Sequence, residues 1–144
     1  MPTFAGIDHL SLSVTDLDRS QRFYAEVLDF VPIIDFGYAR ILLHRPTRFM
    51  LAIVRHEAGS PEPFTELVSG VDHLGLVAAD RDELVEWEKR FDALGVQYTP
   101  IRDMEFGYHL NFRDPDNIAL ELQAPNEVMT GWLEELAERD IPAE

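Results

Sequence analysis

The chain contains no cysteine. That absence removes disulfides, thiolate nucleophiles and every zinc or iron–sulfur site that relies on sulfur ligands. Cations are scarce as well: 12 Lys and Arg stand against 27 Asp and Glu, a formal net charge of -15. A field of that sign repels phosphate backbones and anionic lipid, so neither nucleic acid nor a membrane surface is expected as a partner. No apolar run reaches the roughly 18 residues needed to span a bilayer. The opening Met1-Pro2-Thr3-Phe4 lacks the charged and apolar regions of a secretion signal. Together these absences predict a cytoplasmic protein. There is also no Gly-rich phosphate loop and no nucleophile elbow.

What is present is an ordinary globular composition, 46% hydrophobic and 27% charged over 144 residues, enough for a core. The chain also repeats itself. Ile7-Asp8-His9-Leu10-Ser11-Leu12 matches Val71-Asp72-His73-Leu74-Gly75-Leu76 as aliphatic-Asp-His-Leu-small-Leu. In the same register Asp16 falls opposite Asp80 and Phe23 opposite Trp87. Later, Arg45-Pro46-Thr47-Arg48-Phe49-Met50-Leu51 falls opposite Asp114-Pro115-Asp116-Asn117-Ile118-Ala119-Leu120.

Each half carries the same order of elements. In the first, residues 8–14 alternate as a strand. Asp16 caps a helix whose Leu17, Phe23, Tyr24, Val27 and Leu28 fall largely on one face. Strands are expected at Val31–Asp35, Tyr38–His44 and Phe49–Arg55, and Gly59-Ser60-Pro61-Glu62-Pro63 connects the halves. In the second, a strand at Asp72–Val77 precedes a helix capped by Asp80, with Glu83 three residues on. Leu84, Trp87, Phe91 and Leu94 line that helix, and Gly95 stops it. Strands follow near Gln97–Arg102, Tyr108–Arg113 and Ile118–Gln123, the last two joined by an Asp114–Asn117 turn. Asn126 caps a final helix at about residues 126–139, where Met129, Trp132, Leu133 and Leu136 form an apolar stripe. The fold class is therefore α+β, with two tandem βαβββ modules (residues 6–57 and 71–125) and a C-terminal helix in a single domain. The eight strands are expected to form a cupped mixed sheet, since neither half alone covers enough apolar surface.

These residues resemble the vicinal oxygen chelate superfamily of glyoxalase I, extradiol dioxygenases, fosfomycin-modifying enzymes and bleomycin-resistance proteins. The resemblance covers roughly residues 6–125. Its most specific pieces are the two Asp-His-Leu strands and Phe112-Arg113-Asp114-Pro115-Asp116-Asn117-Ile118-Ala119-Leu120-Glu121-Leu122. The resemblance implies inward-facing metal ligands on the first and last strand of each module, at His9, Ala52, His73 and Glu121. Ala52 has no donor atom. The implied site is thus His9, His73 and Glu121, holding one divalent metal ion.

Two imidazoles and a carboxylate suit Fe(II) or Mn(II) foremost, with Zn(II), Ni(II) and Co(II) as alternatives, and three protein ligands leave positions open. Glu121 stands among Ala119, Leu120 and Leu122, where an unpaired carboxylate would be costly. A metal would account for it. So would an arginine, and Arg40, Arg102 and Arg113 are the candidates. His44, His56 and His109 are read as surface or packing residues, although Tyr108 or His109 must face the cup. Phe36, Tyr38 and Phe106 are read as core or pocket lining, and Glu86, Glu88, Glu134, Glu135 and Glu138 as solvated helix faces.

The implied activity is that of a metal-dependent enzyme on a small molecule that chelates through adjacent oxygens, with dioxygenase-like chemistry leading. Two departures count against it. Extradiol and fosfomycin-modifying relatives carry Tyr where this chain has Asn111. Extradiol relatives also have a His several residues earlier, absent near Arg102–Met104. No general base is assigned. The alternatives are a glyoxalase-type lyase or isomerase, with Glu121 as ligand and base, and a non-catalytic drug- or metabolite-binding protein. The resemblance further implies a homodimer that can exchange modules between subunits.

Overall fold

The computed structural model describes residues 6–138, so the opening tetrapeptide and residue 139 of the expected last helix lie outside the described residues. The elements run β1 (His9–Ser13), α1 (Leu17–Leu28), β2 (Val31–Asp35), β3 (Ala39–His44), β4 (Phe49–Val54), β5 (Leu74–Val77), α2 (Arg81–Leu94), β6 (Arg102–Met104), β7 (Gly107–Arg113), β8 (Ala119–Ala124) and α3 (Glu127–Glu138). This is the α+β order expected, two βαβββ modules and a C-terminal helix. The eight strands form two four-stranded mixed sheets, one per module. By its contacts the chain makes two compact units, Met1–Phe64 with Asp114–Ile118, and Thr65–Arg113 with Ala119–Glu144. No helix among the described residues is long and apolar enough to cross a membrane.

In the first unit the sheet order is β1-β4-β3-β2, with β1 parallel to β4 and the other pairs antiparallel. Asp16 caps α1 by accepting from the Arg19 amide, and Asp29 ends it in the left-handed conformation. The face of α1 bearing Leu17, Tyr24, Val27 and Leu28 is buried, as are Leu12, Leu42, Leu51 and Ile53 of the strands. Strand alternation sends His9, Ser11, Ile41 and Ala52 to the opposite face of the sheet.

The Asp-Pro-Asp-Asn turn belongs to this unit and is held by a polar cluster. Tyr24, fully buried, donates its hydroxyl to Asp114 Oδ2 at 2.9 Å. Asp114 Oδ1 accepts from the amides of Asp116 and Ile118 at 2.9 and 2.8 Å. Asp116 accepts from Arg19 Nη2 at 2.6 Å, from the Thr15 amide at 2.9 Å and from the Thr15 hydroxyl. Burial pushes the Asp114 carboxyl above its ordinary range, partly opposed by the Ile118 amide and the Tyr24 hydroxyl. Burial and the neighbouring Asp114 charge push the Tyr24 hydroxyl well above its own.

The second unit has the equivalent sheet, ordered β5-β8-β7-β6. Asp80 caps α2 through the Glu83 amide, while the Glu83 carboxylate accepts from the amide of Ala79 rather than that of Asp80. Gly95 ends the helix at φ 66, a left-handed turn that glycine adopts at little cost. Leu84 and Phe91 are buried with Leu110, Phe112, Leu120 and Leu122. Leu94, expected on the same stripe, is exposed. Asn126 caps α3 through the Met129 amide, as expected, and its amide group donates to the carbonyls of Met104 and Glu105.

One strand is displaced from its expected position. Gln97–Arg102 does not form a continuous strand; β6 begins at Arg102. Pro100 has no N–H to give a ladder. Before it, the chain pairs with the far end of β7 through the Thr99 amide on the Asn111 carbonyl and the Arg113 amide on the Gln97 carbonyl. The next amide, Ile101, turns to the Glu88 carboxylate at 2.9 Å. Phe36, Tyr38 and Phe106 are not core residues, since they are 56%, 65% and 45% exposed. They sit at hairpin ends, where the strand runs out of sheet to cover it.

Candidate metal centre

The second sheet has one apolar face and one polar face. Alternation along β7 and β8 turns Leu110, Phe112, Leu120 and Leu122 into the core, and His109, Asn111, Glu121 and Gln123 to the other side. The register places Asn111 opposite Glu121, His109 opposite Gln123, and Gly75 opposite Glu121 on the parallel side.

Glu121 is only 6% exposed, yet none of the three candidate arginines answers it. Arg40 pairs with Asp18 and Asp35 at 2.7 and 3.0 Å. Arg113 pairs with Glu66 at 2.8 Å, which holds the Glu66 carboxyl down at about 2. Arg102 donates to Asn111 Oδ1 at 2.9 Å. The partners of Glu121 are instead His109 and Asn111 on one oxygen and a second histidine near the other. His109 Nδ1 lies 2.6 Å and Asn111 Nδ2 3.2 Å from Oε1. His73 Nε2 lies 3.5 Å from Oε2.

Those distances distinguish the two histidines. Two donors about 2.1 Å from a shared tetrahedral ion stand roughly 3.4 Å apart. The His73–Glu121 separation fits that spacing and is too long for a good hydrogen bond. The His109 distance of 2.6 Å is a direct hydrogen bond with no room for an ion between the atoms. Gly75 adds a second sign. A Cβ there would come within 3.8 Å of Glu121 Oε2 and of no other atom, so the glycine keeps the space over that oxygen open.

Both expected histidine ligands are oriented in the same way. His73 Nδ1 is 2.6 Å from Asp72 Oδ1, and in the first unit His9 Nδ1 is 2.6 Å from Asp8 Oδ1. A carboxylate on Nδ1 fixes the tautomer with the lone pair on Nε2, as metal-binding imidazoles require. Among the described residues no group of three or more His, Asp and Glu converges as a complete metal cage. His73 and Glu121 come together within the second unit, and His9 belongs to the first. His44 and His56 stand apart from these contacts, His44 bonded to Thr47 at 2.7 Å. Sequence reasoning set His109 aside, and the structure brings it to Glu121.

A cleft of about 240 Å³ adjoins this site within the second unit, lined by Gly75, Leu76, Val77, Gln123, Pro125, Met129 and Leu133. Its walls are chiefly apolar.

A model of the glyoxalase/bleomycin resistance protein/dioxygenase superfamily matches residues 6–122. The chain belongs to that superfamily. A solved domain of the superfamily from Frankia sp. is 32% identical, covering 87% of this chain and 95% of its own, with a TM-score of 0.79. The fosfomycin resistance protein FosX from Mesorhizobium loti is 23% identical over 91% of this chain and 99% of its own, with a TM-score of 0.66. A FosX variant from Listeria monocytogenes, solved with Mn(II) and 1S,2S-dihydroxypropylphosphonic acid, is 22% identical over 88% of this chain and 95% of its own, at a TM-score of 0.68. At these identities the FosX structures establish the fold that the superfamily shares with this chain. No curated protein matches the chain.

Proposed function

We propose that His9, His73 and Glu121 hold one divalent metal ion, Fe(II) or Mn(II) before Zn(II), Ni(II) or Co(II), and that the protein is an enzyme for a small molecule chelating that ion through adjacent oxygens. The observation that carries this reading is Glu121: buried, paired with no arginine among the described residues, with Oε2 facing His73 Nε2 across 3.5 Å. The FosX complex supports it from outside, because its ligand is a diol accompanied by Mn(II). When bound, the metal would polarise the substrate's oxygens and, if Fe(II) or Mn(II), supply the redox chemistry for O₂. The chain's own residues do the rest. Asp8 and Asp72 orient the imidazoles, His109 and Asn111 hold one oxygen of Glu121, and the cleft beside Gly75 accommodates an apolar portion of the substrate.

Dioxygenase-like chemistry remains the leading reading over a glyoxalase-type lyase or isomerase. An isomerase of that kind would use Glu121 as a base as well as a ligand. Its Oε1 already accepts two hydrogen bonds, and Ala52 offers no second carboxylate. The sequestering, non-catalytic reading does not explain a buried carboxylate facing an oriented imidazole.

The deciding experiment is metal content by mass spectrometry, on protein purified anaerobically without a metal-affinity tag, alongside His73→Ala. Near one iron or manganese per chain, lost in the variant, supports the site, and oxygen uptake with a catechol probe then tests the reaction. Zinc, nickel or cobalt would move weight to lyase or isomerase chemistry. No metal in either protein, and none on reconstitution, would leave the binding-protein reading. We propose a homodimer as well: β1 and β5 are edge strands of their sheets, and Ile7 just before β1 and Val77 at the end of β5 are 85% and 89% exposed. Sedimentation showing only monomer at micromolar concentration would count against it.

A further inference from the structure

We infer that His109 and Asn111 are positioning residues that make Glu121 a single-oxygen donor, holding Oε1 and presenting only Oε2. The inference rests on the metal-site reading above and concerns how the carboxylate would bind. A carboxylate left to itself can bind an ion through one oxygen or both. Here Oε1 already receives His109 Nδ1 at 2.6 Å and Asn111 Nδ2 at 3.2 Å, while Oε2 faces His73 and the open space over Gly75. Arg102 Nη2, 2.9 Å from Asn111 Oδ1, fixes the amide so that its nitrogen points at Glu121. Taking Oε1 as a donor would break two hydrogen bonds in a buried place.

The internal repeat gives an independent argument. In the first sheet Ala52 is paired with Ile41, and Ala39 lies two residues before Ile41 on the same face. In the second sheet Glu121 is paired with Asn111, and His109 lies two residues before it. The equivalent positions thus read Ala52, Ile41 and Ala39 in one copy, and Glu121, Asn111 and His109 in the other. Where the carboxylate is missing, both groups that would hold it are missing too. A histidine and an asparagine present only for sheet packing would have no reason to follow the acid. The consequence concerns vacancies: a carboxylate bound through one oxygen occupies one coordination position and leaves another for the second oxygen of a chelating substrate.

The test uses Mn(II) as probe on the full chain. Free Mn(II) is followed by electron paramagnetic resonance to give Kd, and water-proton relaxation gives the number of waters on the bound ion. His109→Leu and Asn111→Leu are compared with wild type, His109→Gln and His73→Ala, and circular dichroism confirms folding of each. The expected result is weaker binding by about 10–100-fold in the two leucine variants, with one water fewer on the ion as Glu121 takes it through both oxygens. His109→Gln, which keeps a donor, should restore both values toward wild type. Unchanged affinity and hydration in both leucine variants would overturn the inference and leave the metal site standing. Loss of binding in His109→Leu as complete as in His73→Ala, without rescue by glutamine, would make His109 a ligand and also overturn it. Should one leucine variant fail to fold, the other and His109→Gln carry the test. No Mn(II) binding by the wild type would remove the metal-site reading and this inference together.

Discussion

Replacing Tyr24 by Phe tests the buried cluster around the Asp114 turn. The hydroxyl donates to Asp114 Oδ2 at 2.9 Å, and neither residue is open to water. Deleting it leaves Asp114 with its two backbone donors on Oδ1 and strips the charged oxygen opposite. A hydrogen bond to a charged group contributes about 1.5–3 kcal/mol, a neutral one about 0.5–1.5 kcal/mol. With Asp114 ionised at pH 7, the loss should therefore be about 2–3 kcal/mol. The sign with pH follows from the direction of the shift. Burial raises the folded Asp114 above its ordinary 3.8, so the fold binds this proton more tightly than the unfolded chain does. Its proton-linked stabilisation is complete below 3.8 and is lost as pH rises through the folded value. Without the Tyr24 hydroxyl the folded value moves higher still. The cost of Tyr24→Phe should then shrink toward about 1 kcal/mol as pH falls below the ordinary carboxylate value, where a neutral pair is being broken. Urea denaturation at the two pH values, with Asp114→Asn to close a double-mutant cycle, measures it. A loss below about 0.5 kcal/mol at pH 7, or one that does not change with pH, would refute the reasoning.

Three further outcomes are expected. Gly75→Val should fill the space over Glu121 Oε2 and weaken Mn(II) binding at least tenfold by titration, with little change in the melting temperature; unchanged affinity would show that the opening is incidental. Glu66 is held at about 2 by Arg113, below its ordinary 4.5, so its contribution is present above 4.5 and lost as pH falls toward 2. Nuclear magnetic resonance titration of the Glu66 carboxyl in wild type and Arg113→Gln should show most of that depression lost, with the part due to a backbone hydrogen bond remaining. Phe91→Ala removes a fully buried ring in contact with Trp87, Tyr98 and Phe112, and should cost about 3–5 kcal/mol by denaturant unfolding.

Much of this architecture is written in short-range signals. The two Asp-His-Leu segments mark β1 and β5, Asp16 and Asp80 cap the helices they precede, and Gly95 ends α2. The association of His73 with Glu121 has no short-range signal and is implied by the family resemblance. His109 was legible in principle. The turn spanning residues 114–118 pairs Arg113 with Ala119, and counting back places Asn111 across from Glu121 and His109 on the same face. Strand parity alone does not choose between Tyr108 and His109; the hairpin register does. Pro100 was a visible obstacle to a strand at 97–102, but not the way pairing resumes beyond it. The burial of Asp114 and Asp116 had no local sign. Turn residues of this type usually face water, and only contacts with residues far away in the chain reverse that.

Those distant contacts bear on synthesis. Within the first unit, the Tyr24 hydroxyl meets its acceptor 90 residues later in the chain, and Thr15 meets Asp116 after 101. When residues 1–64 leave the ribosome, the Tyr24 and Thr15 hydroxyls, the Arg19 guanidinium and the Thr15 amide that will grip the turn have been made, and the turn itself has not. The first half must wait for the turn after β7 to be translated before its polar cluster can close, so its early forms are expected to be loose and slow to mature.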